Sequence, residues 1–157
     1  MATQWPLLTA RLVALLPTLS GWSAVQVFDG PPVTSEIPTS YCTVGYVDDD
    51  NVGSYADDLS QVGNIFTAET GEVRCRLVVV TGDIDSDADG KSDLATIRTA
   101  AFTLIDALRA SLRTDPRVGV LPAGSTTSLT VDVGAAQNER GSGQRLDFTL
   151  SYACPVF

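Results

Sequence analysis

Leu146-Asp147-Phe148-Thr149-Leu150-Ser151-Tyr152-Ala153-Cys154 alternates apolar and polar residues without a break. Successive side chains of a strand point to opposite faces, so Leu146, Phe148, Leu150, Tyr152 and Cys154 share one face. A strand that is apolar on one side only belongs to an antiparallel sheet with one covered and one open surface. Leu129–Val133 alternates in the same way, and Asn138-Glu139-Arg140-Gly141-Ser142-Gly143 between the two runs reads as a glycine-rich hairpin tip. The closing third of the chain is therefore a hairpin in need of a cover.

The cover lies upstream. From Asp93 to Arg113, the residues Leu94, Ile97, Ala101, Ile105, Leu108 and Leu112 recur at three- and four-residue steps, widened by Phe102 and Leu104. That period is one apolar stripe on a long helix, which Asp115-Pro116 ends. A first helix is predicted from about Thr3 to Leu19, with Trp5, Leu8, Leu12, Leu15 and Leu16 on one face. Pro6 suits its opening turn and Ser20-Gly21 stops it.

Between the helices, strands are predicted at Ala24–Phe28 and Tyr41–Val47. Two more follow at Val62–Thr67 and Glu72–Val80, linked through Glu69-Thr70-Gly71. Leu77-Val78-Val79-Val80 has the continuous apolar character of a central strand. Asp48 to Ser60 is acidic and non-periodic and reads as a solvated loop. The order of elements predicts an α+β fold, a mostly antiparallel sheet with two helices packed on one face. It forms a single domain over residues 1–157, with acidic loops at 48–60 and 83–92.

Composition narrows the function. The chain has 157 residues, 44% of them hydrophobic, which is enough for a core. Ten Lys and Arg stand against 19 Asp and Glu, for a formal charge of −9. A dedicated nucleic-acid binder would need the opposite balance, since its affinity comes from cations on phosphates. There is no histidine, and Lys91 is the only lysine. The commonest general base and metal ligand is thus missing, and no enzyme is expected. Cys42, Cys75 and Cys154 each sit in a strand-like run with no C-x-x-C pair, and read as reduced core thiols made in a cytosol. Met1 to Gln4 carries no cation of a signal peptide, and the apolar Trp5–Leu16 stretch falls short of the roughly 20 residues that span a bilayer. No membrane association is expected.

Four local patterns suggest chemistry. Asp85-Ser86-Asp87-Ala88-Asp89-Gly90-Lys91-Ser92-Asp93 matches the start of a calcium loop, with Asp85, Asp87, Asp89 and Asp93 as candidate ligands. Thr96 stands where the bidentate Glu should be. That departure favours an acidic turn whose Ser92 and Asp93 cap the following helix. Calcium is the one cofactor considered, and none is otherwise implied. Gly82 and Gly90-Lys91-Ser92 imitate a phosphate loop, but seven residues separate the glycines where the motif has four, and the aspartates between would repel phosphate. Asp48-Asp49-Asp50 and Asp57-Asp58 lack the apolar shielding that splits the pKa values of catalytic carboxylates. Gly141-Ser142-Gly143 is a turn, not a nucleophile elbow. Trp22 is expected at the corner between first helix and first strand. Glu139, Arg140 and Arg145 place mixed charge on the hairpin arm, as a subunit contact would.

The chain resembles the tail terminators of the lambda type, minor tail proteins of long-tailed phages. The resemblance rests on the first helix leading into Val25-Gln26-Val27-Phe28-Asp29-Gly30-Pro31 and on the Tyr41–Val47 strand with its acidic loop. It continues through Glu72-Val73-Arg74-Cys75-Arg76-Leu77-Val78, the helix bearing Ile105-Asp106-Ala107-Leu108, and the closing hairpin. It covers nearly the whole chain as an order of elements, and the acidic Asp83–Gly90 insertion departs from it. The resemblance implies a homo-hexameric ring that caps the tail tube, stops tube polymerisation and joins the tail to a head or neck protein, in a virion assembled in the host cytoplasm. Six copies would carry about −54 (six times −9), and a lumen of that sign would let DNA pass by repulsion. Another head–tail connector or tail-completion protein is the neighbouring reading, and a calcium-dependent binding module is the alternative of another class.

Overall fold

The computed structural model describes residues 3–32, 40–47, 53–58, 67–80, 94–138 and 141–156. Its elements are α1 (Gln4–Leu15), β1 (Gln26–Asp29), β2 (Ser40–Val44), β3 (Gly53–Asp58), β4 (Thr67–Val80), α2 (Leu94–Thr114), β5 (Thr126–Asn138) and β6 (Gly141–Val156). Two short 3-10 turns, Leu16–Thr18 and Trp22–Ala24, lead from α1 to β1. The fold is the α+β class predicted: two helices and a six-stranded, mostly antiparallel sheet.

The sheet runs β1-β2-β4-β6-β5, with β3 beside β4. The 14-residue β4 is its spine. One edge of β4 pairs with β6 throughout, from Thr67↔Val156 to Val80↔Gly143. The other edge is shared, β3 taking Ala68 to Val73 and β2 taking Cys75 to Val79. All pairings are antiparallel except β1 with β2.

One face of this sheet holds the core. Leu146, Phe148, Leu150, Tyr152 and Cys154 of β6 are all buried, as their alternation predicts. Val73, Cys75 and Leu77 of β4 stand opposite three of them and are fully buried. Onto this face α1 brings Leu8 and Leu12, and α2 brings Ala101, Ile105 and Leu108. Trp22 fills the corner where α1 turns into β1: it is fully buried, and its Nε1 donates to the Leu104 carbonyl at 3.0 Å. Gly21, at φ +81, makes that turn possible. Among the described residues no helix is long and apolar enough to cross a membrane.

Three expectations are corrected. Residues 53–58, expected within a solvated loop, form edge strand β3. An edge strand needs only backbone groups to pair, so an acidic, non-periodic stretch can form one. Gly53 carries the fit: at φ +143, a Cβ there would lie 2.5 Å from the Glu72 carbonyl oxygen and 2.9 Å from Trp5 Nε1. Glu69-Thr70-Gly71, expected to link two strands, lies inside β4. Gly71 is needed there for space, since a Cβ would sit 2.7 Å from both Ser54 O and Tyr152 Oη. Gly141-Ser142-Gly143, expected as a turn, opens β6, and Gly143 lets the Val79 carbonyl approach closely. The remaining shifts are in length. The first strand starts later, at Gln26, the second stops at Val44, and the hairpin strands extend well beyond 129–133 and 146–154. Residues 62–66, expected to open a strand, and the 83–92 loop lie outside the described residues.

Candidate subunit interface

Across β4 and β6 the opposite face of the sheet carries mostly charged and polar side chains, and no described helix covers it. Because Val73, Cys75 and Leu77 face the core, Arg74 and Arg76 must face away, and so must Arg145, Asp147, Thr149 and Ser151 of β6. Three arginines therefore stand on two adjacent central strands. Arg76 forms a two-pronged pair with Asp147, Nε to Oδ1 at 2.7 Å and Nη2 to Oδ2 at 3.0 Å, and both side chains are less than a quarter exposed. Arg74 grips Glu72 Oε1 through Nε at 3.0 Å and Nη2 at 2.8 Å. Such forked pairs hold a guanidinium in one orientation.

Arg145 differs. Its Nε lies 3.6 Å from Asp147 Oδ2, is buried, and makes no hydrogen bond. The guanidinium reaches over β5, where Gly134 leaves room: a Cβ at Gly134 would sit 2.7 Å from Nη2 and 3.0 Å from Cζ. Arg145 thus lies on the hairpin arm, in the body of the sheet, paired with Gly134. Glu139 and Arg140, its expected companions, lie outside the described residues. So do Asp85, Asp87, Asp89 and Asp93 of the candidate calcium loop. Among the described residues no three side chains of metal-binding type converge.

The cysteines belong to the core. All three are free and buried. Burial pushes the Cys42 thiol well above its ordinary value, and neighbouring Cys75 adds to the rise. Burial likewise pushes Cys75 up to about 12, against a smaller opposing effect of a hydrogen bond with the Gly45 backbone. Neither thiol is a nucleophile at neutral pH, because the thiolate is the reactive form.

Two other features have structural roles. Glu69 is 3% exposed, yet its carboxylate is engaged by the Gln4 backbone and by Tyr152 Oη at 2.7 Å. A groove of about 480 Å³ separates the C-terminal halves of α1 and α2, and Arg11 closes one side of it by donating from Nε to the Val118 carbonyl at 3.1 Å. The sequence reading missed Arg74, Arg76 and Asp147. The signal was present, because residues between buried alternate positions must share the outer face. The chain matches no protein-family model and no curated protein sequence.

Proposed function

We propose that this chain is a structural subunit of a long-tailed phage virion, a tail terminator that closes into a homo-hexameric ring. The ring caps the tail tube, ends its polymerisation and offers its far side to a head or neck protein, while DNA passes through the lumen without specific binding. The observation that supports this reading best is the pairing of fold and surface. Both helices lie on one face of the sheet, which leaves the other face, with Arg74, Arg76 and Arg145, to carry its fixed charges outward. The first helix, the long second helix and the closing hairpin on which the resemblance to lambda-type terminators partly rests are present, with β3 inside the expected acidic loop. A closed ring uses two different surfaces of each subunit, so growth stops when it closes.

The test is the mass in solution, by light scattering across concentration, together with negative-stain images. Particles near six times the 16.5 kDa chain, ring-shaped in projection, are expected. A monomer at every concentration would move the assignment to a connector or tail-completion protein that assembles only on its neighbours. Arg145→Glu should weaken assembly more than it lowers the melting temperature, and equal losses would refute Arg145 as an interface residue.

A further inference from the structure

We propose that the outer edge of β5 is a docking site for an extended segment of a different protein, one carrying an acidic and a basic residue two positions apart. The inference does not rest on the ring.

β5 is the last strand of the sheet, and among the described residues only β6 pairs with it. Its 13 residues run in unbroken one-to-one register from Thr126↔Ala153 to Asn138↔Gly141. Sheet edges of this length are normally blunted by proline, a bulge or several charges. β5 has no proline and no bulge, and Asp132 is its only charge. Its core-side row, Leu129, Val131 and Val133, runs out from under the helices until Val133 is 61% exposed. An added strand would pair the free backbone groups and cover this row.

The open-face row defines the chemistry of the occupant. Arg76, Asp147 and Asp132 lie directly side by side on β4, β6 and β5. Asp147 is held by Arg76, whereas Asp132 is exposed on a strand beyond which no described strand lies. Two residues on, the Arg145 guanidinium lies over Gly134 without a hydrogen bond at its Nε. The edge therefore presents a negative charge at 132 and a positive one at 134. An antiparallel strand answers both with an acid opposite Gly134 and, two residues later, a base opposite Asp132. An apolar residue between them would meet Val133, and one just after the base would meet Val131.

A second copy fits less well. The other sheet edges, β1 and β3, contribute Asp29, Asp57 and Asp58 and no cation. Full-length pairing of β5 with another β5 sets Asp132 against Asp132. Like charges directly opposite are destabilising.

The probe is the blocked peptide Thr-Glu-Val-Lys-Val-Thr-Val-Thr, with its charge-swapped form, Lys and Glu exchanged, as control. Both are titrated into the intact chain while amide hydrogen exchange is followed. The first peptide should slow exchange along β5 and bind about tenfold tighter than the swapped one, the size expected from reversing two cross-strand pairs. Asp132→Lys, an exposed substitution that leaves the fold intact, should abolish that preference. Equal binding of the two peptides, or no slowing of β5 exchange by either at millimolar concentration, overturns the proposal. Protection of β5 that rises with protein concentration alone, in step with mass, also overturns it. That result would assign the edge to a second copy and leave the ring reading standing.

Discussion

Both carboxylate oxygens of Glu69 accept the backbone N–H of Gln4, at 2.8 and 3.1 Å, so a residue of β4 caps a helix 65 positions away in sequence. α1 has no cap of its own, since Thr3 makes no side-chain bond and no acid stands in the first turn. A helix start needs such acceptors for its free N–H groups and favours negative charge there. Glu69 supplies both from a buried position.

The first prediction follows from this cap. Glu69→Ala should destabilise the protein by about 1–3 kcal/mol, the cost of a lost cap with buried donors left behind. Glu69→Gln keeps an acceptor oxygen and should lose less. The midpoint of urea unfolding measures both. No shift for the alanine variant would mean that water caps α1 equally well.

Gly71 lies beneath the same cluster. A methyl group there meets Ser54 O and Tyr152 Oη at 2.7 Å, and neither backbone nor a packed ring yields easily. Gly71→Ala should therefore cost about 1–3 kcal/mol, although alanine has the better strand propensity. A neutral or stabilising result, by thermal melting, would place Tyr152 elsewhere.

These two residues also mark the limit of what the sequence could tell. The alternation through Leu146 to Cys154 and the stripe from Leu94 to Leu112 expose the core because burial follows periodicity directly. Glu69 and Gly71 look like turn residues, since propensity is local. What makes them strand residues is a helix start and a tyrosine ring that meet β4 only once the chain has folded. β3 was missed for the same reason: its pairing partner, not its own side chains, makes it a strand. On the open face, Arg74 and Arg76 could have been placed by parity with their buried neighbours. Arg145's reach over Gly134 could not, because it depends on the register between β5 and β6.

The apolar faces can be tested directly. Leu108 and Phe148 are each 1% exposed, on α2 and on the strand beneath it. Leu108→Ala and Phe148→Ala should each cost about 2–5 kcal/mol through lost burial and the cavity left behind. Chemical denaturation at constant slope reads the loss. A value below about 1 kcal/mol at either site would mean that α2 does not sit where the stripe puts it.

The buried thiols predict how stability depends on pH. An unfolded cysteine ionises near 9.0, whereas native Cys75 holds its proton up to about 12, chiefly because burial excludes the thiolate. Cys42 is shifted in the same direction for the same reason, with Cys75 adding to the rise. Between the two values the unfolded chain has released a proton that the native chain keeps, so raising the pH favours unfolding. For Cys75 the contribution is fully present below pH 9 and is lost as pH rises towards 12, at about 1.4 kcal/mol per pH unit, and Cys42 adds a loss of the same sign. Tyrosine and lysine titrate in the same range, so the informative quantity is a difference in slope. Cys42→Ala with Cys75→Ala will lower stability at pH 7 by removing packed atoms, but should flatten the fall above pH 9 relative to the unaltered chain. Parallel slopes for the two proteins would mean that water reaches these sulfurs in the native state, and that the floor of the core beneath α1 is open.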